Sequence, residues 1–283
     1  MLGRALLLGA LLAGSPSPVI AGEGCAGSWV APSDDVGALV RVAPEGATIC
    51  FAPGSYRLRE PLRPRAGQRL IGVPGAVLTG AFPVTGFVEE AGLWRAAIGD
   101  TSAPGRGVCR TGWETCVYPE VVAYRGVPLR RVAQVSEVEP GRFAIDRASG
   151  ELWIADDPAR GEVTLSRSSG AVVAWDAPGV EVSGFVVELF ASPAGTGAIR
   201  GRALTVAANE VRFNHGAGIQ AWDGSHVAGN RVHHNGQIGI VGQGPGIVVE
   251  GNEIAYNNTA GFDPVWEAGG TKWVPTAPPS SPR

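Results

Sequence analysis

Asn209-Glu-Val-Arg-Phe-Asn214-His-Gly-Ala-Gly218-Ile219, Asn230-Arg-Val-His-His-Asn235-Gly-Gln-Ile-Gly239-Ile240 and Asn252-Glu-Ile-Ala-Tyr-Asn257-Asn-Thr-Ala-Gly261-Phe262 follow one pattern, N-x-[VI]-x-x-N-x-x-x-G-[IF]. The first Asn recurs after 21 and then 22 residues, and Val206, Val227 and Val249 each precede it by three. An earlier copy, VEVSGFVV, carries Phe185 in the Asn position, 24 residues before Asn209. A unit this short cannot bury its apolar face alone, so neighbours must stack. Stacking at strand spacing, about 4.8 Å, puts Val206, Val211 and Ile219 under Val227, Val232 and Ile240, and those under Val249, Ile254 and Phe262. Asn columns at the corners offer donors and acceptors to one another and to the turn backbone, and Asn tolerates left-handed backbone. The Gly column is expected to allow a tight bend. A leucine-rich repeat has a similar period but needs leucines on L-x-x-L-x-L spacing, which these copies lack.

The rest of the chain agrees with a coil of short strands. With 42 Gly and 22 Pro in 283 residues and 45% hydrophobic residues, it is turn-rich yet able to pack a core. Short strands are expected near 48–52, 69–72 and 76–79, and Ser33 is the expected N-cap of a short helix covering the open end. Residues 95–168 change character: hairpin signals at Arg125-Gly126 and Ser149-Gly150 predict a mainly antiparallel β insertion. The expected organisation is a signal peptide over 1–21, an N-terminal cap and first rungs over 22–94, the insertion over 95–168, parallel repeats over 169–273 and a disordered Pro/Ser-rich tail over 274–283.

These repeats resemble those of right-handed parallel β-helix proteins of the pectate-lyase-like (pectin lyase-like) class. ICFAPGSYRL…GQRLIGVPGAVLTG resembles the first rungs of the same class. The resemblance covers residues ~45–80 and ~170–266 and implies an all-β, right-handed parallel β-helix with an inserted antiparallel β subdomain and a short N-terminal capping helix. It also implies action on acidic or neutral polysaccharides, as lyase, hydrolase or epimerase, through outward side chains gathered from consecutive rungs. Fold does not fix activity. Two other readings stay open: a non-catalytic surface or carbohydrate-binding β-helix, and a fragment truncated at its C-terminus. Asp263-Pro264 is similar to half of the Asp-Pro-His-Asp motif of mannuronan epimerases, but Val265-Trp266 replace the His-Asp half, so that activity is not carried over.

Arg4, the apolar run from Ala5 to Ala13 and Val19-Ile20-Ala21 form a secretory signal pattern, which places the protein outside the cell or in the periplasm. No run reaches membrane-spanning length. Export suits disulfides; Cys109 pairs most naturally with Cys116 across CRTGWETC, leaving Cys25 for Cys50. A net charge of -3 with no basic stripe argues against nucleic acid. No metal cluster or cofactor fingerprint is evident, and no acidic cage supports Ca2+. Oligomeric state is left open.

The residues following the Gly-Ile strand are the candidate site. Trp222 and Trp266 are expected at one angular position two rungs apart, with Asp223, Asp263 and Glu267 beside them. Aromatic faces suit sugar rings, and carboxylates about 6.5–9.5 Å apart suit inverting hydrolysis. Asp223, Asp263 and Glu267 are thus the candidate acids and Trp222, Trp266, Arg212 and His233 the candidate binding residues. His233 is expected to face outward in line with Arg212, and His234 to stack between Phe213 and Tyr256.

Overall fold

A computed structural model describes residues 25–274. The signal pattern and all of the C-terminal tail except Val274 lie outside them. Among the described residues no helix is long and apolar enough to cross a membrane.

The chain coils through three parallel sheets. The first contains Ser28–Val30, Thr48–Phe51, Arg69–Gly72, Glu181–Ser183, Thr205–Ala207, His226–Ala228 and Val248–Glu250. The second contains Gly54–Arg57, Ala76–Thr79, Val186–Glu188, Glu210–Arg212, Arg231–His233 and Glu253–Ala255. The third contains Val172–Ala174, Gly197–Arg202, Ala217–Trp222, Ile238–Gln243 and Gly269–Val274, with a bridge from Leu62 to Val172. This is the parallel β-helix that the period predicts. The register builds the core column by column. Ile49, Leu70, Val182, Val206, Val227 and Val249 stack on the first sheet. Tyr56, Leu78, Val187, Val211, Val232 and Ile254 stack on the second. On the third, Val172, Ile199, Ile219 and Ile240 are succeeded by Thr271.

Both Asn ladders form. Asn230 Oδ1 accepts from Asn209 N and Nδ2, each at 3.0 Å. Asn257 Oδ1 accepts from Asn235 N and Nδ2 in the same way. The left-handed residue is not the Asn but the one before it: Phe213, His234 and Tyr256 have φ of 57, 52 and 53°. Before the first ladder the same conformation falls on Ala208, Gly229 and Gly251. Each non-glycine residue there costs roughly 1–2 kcal/mol, and the fixed Asn side chain behind it holds the turn in place. The ladders end on aromatic residues, where Asn209 Oδ1 accepts from Phe185 N and Asn214 Oδ1 from Phe190 N. Phe185 packs edge-on against Phe51 at 5.0 Å.

Three expectations are corrected. The Gly column is not a bend. Gly218 and Gly239 are inside strands, and a Cβ on Gly239 would come within 2.6 Å of Ile254 and 2.9 Å of Asn257 Nδ2. Glycine there makes room for the next rung. The N-cap of α1 (Val36–Val42) is Asp35 rather than Ser33, its carboxylate accepting from Ala38 N at 2.9 Å. At its other end the buried Gln68 amide donates to the carbonyls of Val40, Ala43 and Pro44.

The third correction concerns the last copy. Phe262 does not follow Ile240; Thr271 does. After Asn257 the chain leaves the coil because Asn258 takes φ of 76° and clasps Phe262, accepting from its N and donating to its O at 2.9 Å each. Asp263 then caps α2 (Pro264–Glu267), with Pro264 in the first turn, and the strand resumes only at Gly269.

Residues 81–166 supply two mainly antiparallel sheets around their own core of Val122, Phe143, Ile145, Leu152, Ile154, Val163 and Leu165. The hairpins turn at Arg125-Gly126 and between Asp146 and Glu151. Cys25 is bonded to Cys50 and Cys109 to Cys116. The second disulfide braces a loop that lies on the last rungs, where Cys109 bridges Phe262 and Arg110 N donates to Gly261 O at 3.0 Å.

Candidate functional site

Alternate residues of the third sheet point away from the core, and two outward columns run along it. Val173, Arg200, Gln220, Val241 and Lys272 are in register, with Arg63 next to Val173 through the Leu62–Val172 bridge. Arg202, Trp222, Gln243 and Val274 are in register beside them. Trp175 follows Ala174 at the preceding rung, and Arg65 shares a groove with it. The Trp175 and Trp222 rings meet edge-to-face at 5.0 Å, and the Arg202 guanidinium lies 5.7 Å from the Trp222 ring centre. Both tryptophans are part-exposed. The floor below them is already filled by Ala174 and Ala221, so burial of the core does not require an indole at either position.

The predicted residues divide into three places. Trp222 is on this face, and Asp223 follows it at the corner. There Asp223 Oδ1 lies against the backbone of Gly244, where any Cβ would fall 1.7 Å from it. Asp263, Trp266 and Glu267 are elsewhere, in and beside α2. Asp263 is spent as the helix cap, its carboxylate accepting from Val265 N at 2.8 Å. Trp266 stacks on Phe262 at 6.2 Å, and Glu267 pairs with Lys272. The Glu267 carbonyl accepts from Gln237 Nε2, just before the strand Ile238–Gln243 begins. Asp223 follows the far end of the neighbouring strand Ala217–Trp222. At about 3.3 Å per residue along Ile238–Gln243, Asp223 is roughly 15–20 Å from the Glu267 backbone, beyond the separation at which two carboxylates flank one glycosidic bond. The stacking of Trp266 on Trp222 is therefore corrected: Trp222 is in register with Gln243 and then Val274. The end of the core is covered instead by Trp273, whose ring occupies the space above Gly242.

Arg212 and His233 share a column on the second sheet. Arg212 bonds Glu188 at 2.8 Å and Glu210 at 2.9 Å, and His233 Nε2 contacts Glu210 Oε1 at 3.0 Å. Burial alone would raise the Glu210 carboxyl, but His233 and Arg212 outweigh it and hold it below its ordinary value. These groups satisfy one another; His233 takes the outward position in line with Arg212, as expected, but is covered there and buried. His234 does lie between Phe213 and Tyr256, with ring distances of 5.8 and 5.2 Å.

A second concavity lies where the disulfide loop meets the coil, lined by Trp113, Tyr118, Glu120, Arg131, His215 and His234 among others. It holds the buried pair Glu120–Arg131, 2.7 Å apart. Burial works against the Glu120 charge, and Arg131's charge and hydrogen bond outweigh it, leaving the carboxyl below its ordinary value. His215 contacts the Cys116 carbonyl through Nε2 at 2.8 Å and the Ser192 carbonyl through Nδ1 at 3.2 Å. Burial pushes its pKa down to about 4, so the ring is neutral near pH 7 and donates through one nitrogen. With Nε2 protonated, its hydrogen bond to the Cys116 carbonyl ties the loop to the coil.

Sequence reasoning missed Trp175, Arg63, Arg65, Arg200 and Arg202. One signal was present: Ala174-Trp175-Asp176 and Ala221-Trp222-Asp223 repeat the same tripeptide two rungs apart.

Fold and face together define a parallel β-helix with an Arg- and Trp-lined sheet. No protein-family model and no curated protein matches the chain in sequence. Among solved structures it is similar to XylC, described in complex with xylose, at a TM-score of 0.65 and 14% identity over 78% of this chain and 50% of that one. A glycoside hydrolase aligns at a TM-score of 0.43 and 14% identity over 77% of this chain and 67% of that one. The chain thus spans half the length of the XylC chain, and at this identity the likeness concerns the fold.

Proposed function

We propose that this protein is a secreted β-helix that binds polysaccharide along the outward face of its third sheet. The observation that carries the reading is the succession Trp175, Arg202, Trp222, Gln243 on consecutive rungs. Rungs about 4.8 Å apart match the advance of a sugar chain by one residue, so an extended glycan can place successive rings over successive side chains. Indole faces pack against ring carbons, while Gln220, Gln243, Asp176 and Asp223 offer partners for hydroxyls. The xylose-bound state of XylC agrees with a sugar ligand. Two disulfides agree with an extracellular or periplasmic location. The named acids do not converge, so binding, rather than hydrolysis by Asp223, Asp263 and Glu267, is the reading supported.

Affinity electrophoresis through gels containing soluble polysaccharides tests it. Retardation by at least one polymer that is lost in Trp175→Ala and Trp222→Ala, at unchanged melting temperature, is expected. Retardation that persists in the double variant would place the ligand elsewhere.

A further inference from the structure

The face described above carries an excess of one charge. Its two columns, from Arg63 and Arg65 to Lys272, contain four arginines and one lysine and no Asp or Glu. Lys272 is paired with Glu267. Among the described residues no carboxylate lies within 4.0 Å of the guanidinium of Arg63, Arg65, Arg200 or Arg202, although elsewhere arginines are paired repeatedly, as at Arg69, Arg95, Arg131 and Arg212. A chain of net charge -3 has enough acids to pair them. Glu45 and Asp176 line the groove with Arg63 and Arg65 yet make no ion pair with them.

Arg200 is the most constrained of the four. Its Nη1 donates to Ser169 O at 2.7 Å and Gly197 O at 3.0 Å, and Nη2 donates to Ser169 Oγ at 3.3 Å. A guanidinium has five N–H donors, so the Nε hydrogen and one Nη2 hydrogen remain without a protein partner. That edge of the fork is the geometry that takes a carboxylate or sulfate oxygen pair. Burial, with a smaller contribution from the nearby Arg63 charge, lowers the pKa of Arg200 to about 10. The site therefore has two cations close together, one of them held rigid, and no counter-ion. Adjacent to it, where the chain enters the third sheet, a cavity of about 330 Å³ adds Arg59, lying over the Phe82 ring at 4.3 Å, and Arg167.

We infer that the glycan taken by this face is anionic, with a carboxylate or sulfate substituent seated on Arg63 and Arg200 while its rings lie over Trp175 and Trp222. This rests on the binding reading above and narrows it. The two columns differ in what accompanies the charge. The column of Arg63, Arg200 and Lys272 carries no aromatic residue. In the other, Arg65 and Arg202 alternate with Trp175 and Trp222, and Asp176 and Asp223 directly follow the tryptophans.

The test uses two matched polymer pairs with the intact protein: polygalacturonate with its carboxyl-reduced form, and dextran sulfate with dextran. The charged member of at least one pair should bind about tenfold or more tighter than its neutral partner, the value of one charge-assisted hydrogen bond or more; which pair responds identifies carboxylate or sulfate. Arg63→Gln/Arg200→Gln should lose that preference while keeping its affinity for the neutral polymer. Arg63→Gln alone, at an exposed residue with no intramolecular hydrogen bond to lose, should lose part of it and guards against misfolding of the double variant. Arg41→Gln, on α1 and away from the face, should bind as the parent does. Equal binding of charged and neutral polymers, or an Arg41→Gln loss as large as that of the double variant, would overturn the anionic assignment and leave the binding reading standing. Binding of none of the four polymers would overturn both.

Discussion

Replacing Asn235 with Ala removes one of the two best-connected Asn side chains of the coil, the other being Asn230. Asn235 is fully buried. Its Oδ1 accepts from Asn214 N at 3.2 Å and from Asn214 Nδ2 at 3.0 Å. Its Nδ2 donates to Val211 O, His233 O and Asn257 Oδ1 at 3.1, 3.3 and 3.0 Å. Alanine leaves Asn214 N with no acceptor in a site closed to water, and it breaks the ladder between Asn214 and Asn257. One orphaned buried donor costs about 1–3 kcal/mol, and the weakened second donor and the void add to it. The expected loss is about 3–5 kcal/mol, or roughly 10 °C in melting temperature for a chain of this size. Thermal melting followed by circular dichroism reads the total. Amide exchange at Asn214 reads the cause, because that proton should lose protection even where its neighbours keep theirs. A loss below about 1 kcal/mol with Asn214 still protected would refute the assignment of turn stability to the ladder.

Cys109→Ser/Cys116→Ser opens a disulfide whose cysteines are seven residues apart; the loop-entropy relation gives about 2–3 kcal/mol, measured by urea unfolding. His215 contributes to acid sensitivity with a defined sign. Its folded pKa, about 4, is below the ordinary 6.5, so below pH 6.5 the unfolded chain binds the extra proton and stability falls. The loss should be about 3 kcal/mol by pH 4, and His215→Gln, which can still donate to Cys116 O, should flatten that part of the stability–pH curve. Trp266→Ala should lower the melting temperature, since Trp266 packs on the buried Phe262, while leaving glycan retardation unchanged; retention lost at unchanged stability would put Trp266 back in the ligand site.

The fold was legible because stacking repeats each constraint. Asn209, Asn230 and Asn252 announce one corner three times, and the valines three residues earlier fix the register of the first sheet. The insertion was legible for a different reason, the local chemistry of Arg125-Gly126 and Ser149-Gly150. The site was legible only at Trp222 and Asp223. The alignment of Trp222 with Trp266 failed because counting residues beyond Asn257 assumes that the coil continues, and Asn258 and Asp263-Pro264 divert it. That diversion is itself local: an Asn clasping a residue four positions on, and an N-cap followed by proline, are the signals of a turn and of a helix start. Arg63, Arg65 and Trp175 were hidden for the opposite reason. They are over a hundred residues apart in sequence, and only the return of the chain after the insertion places Leu62 against Val172.

That return has a consequence for how the face came to be specified. In a coil the inward positions are fixed by packing, so Val172, Ile199, Ile219 and Ile240 have little freedom. The outward positions alternate with them and do not pack into the core. Arg202 and Trp222 are therefore not required by the core, whereas Arg200 and Gln220 are tied into the neighbouring rungs by hydrogen bonds. The second sheet shows the contrasting case. There the outward positions Glu188, Glu210, Arg212 and His233 close on one another in a network of pairs, which leaves no charge for a ligand. The third sheet has the same outward geometry but keeps its arginines unpaired beside two indoles. The difference lies not in the fold, which both sheets share, but in which charges the sequence provided with partners.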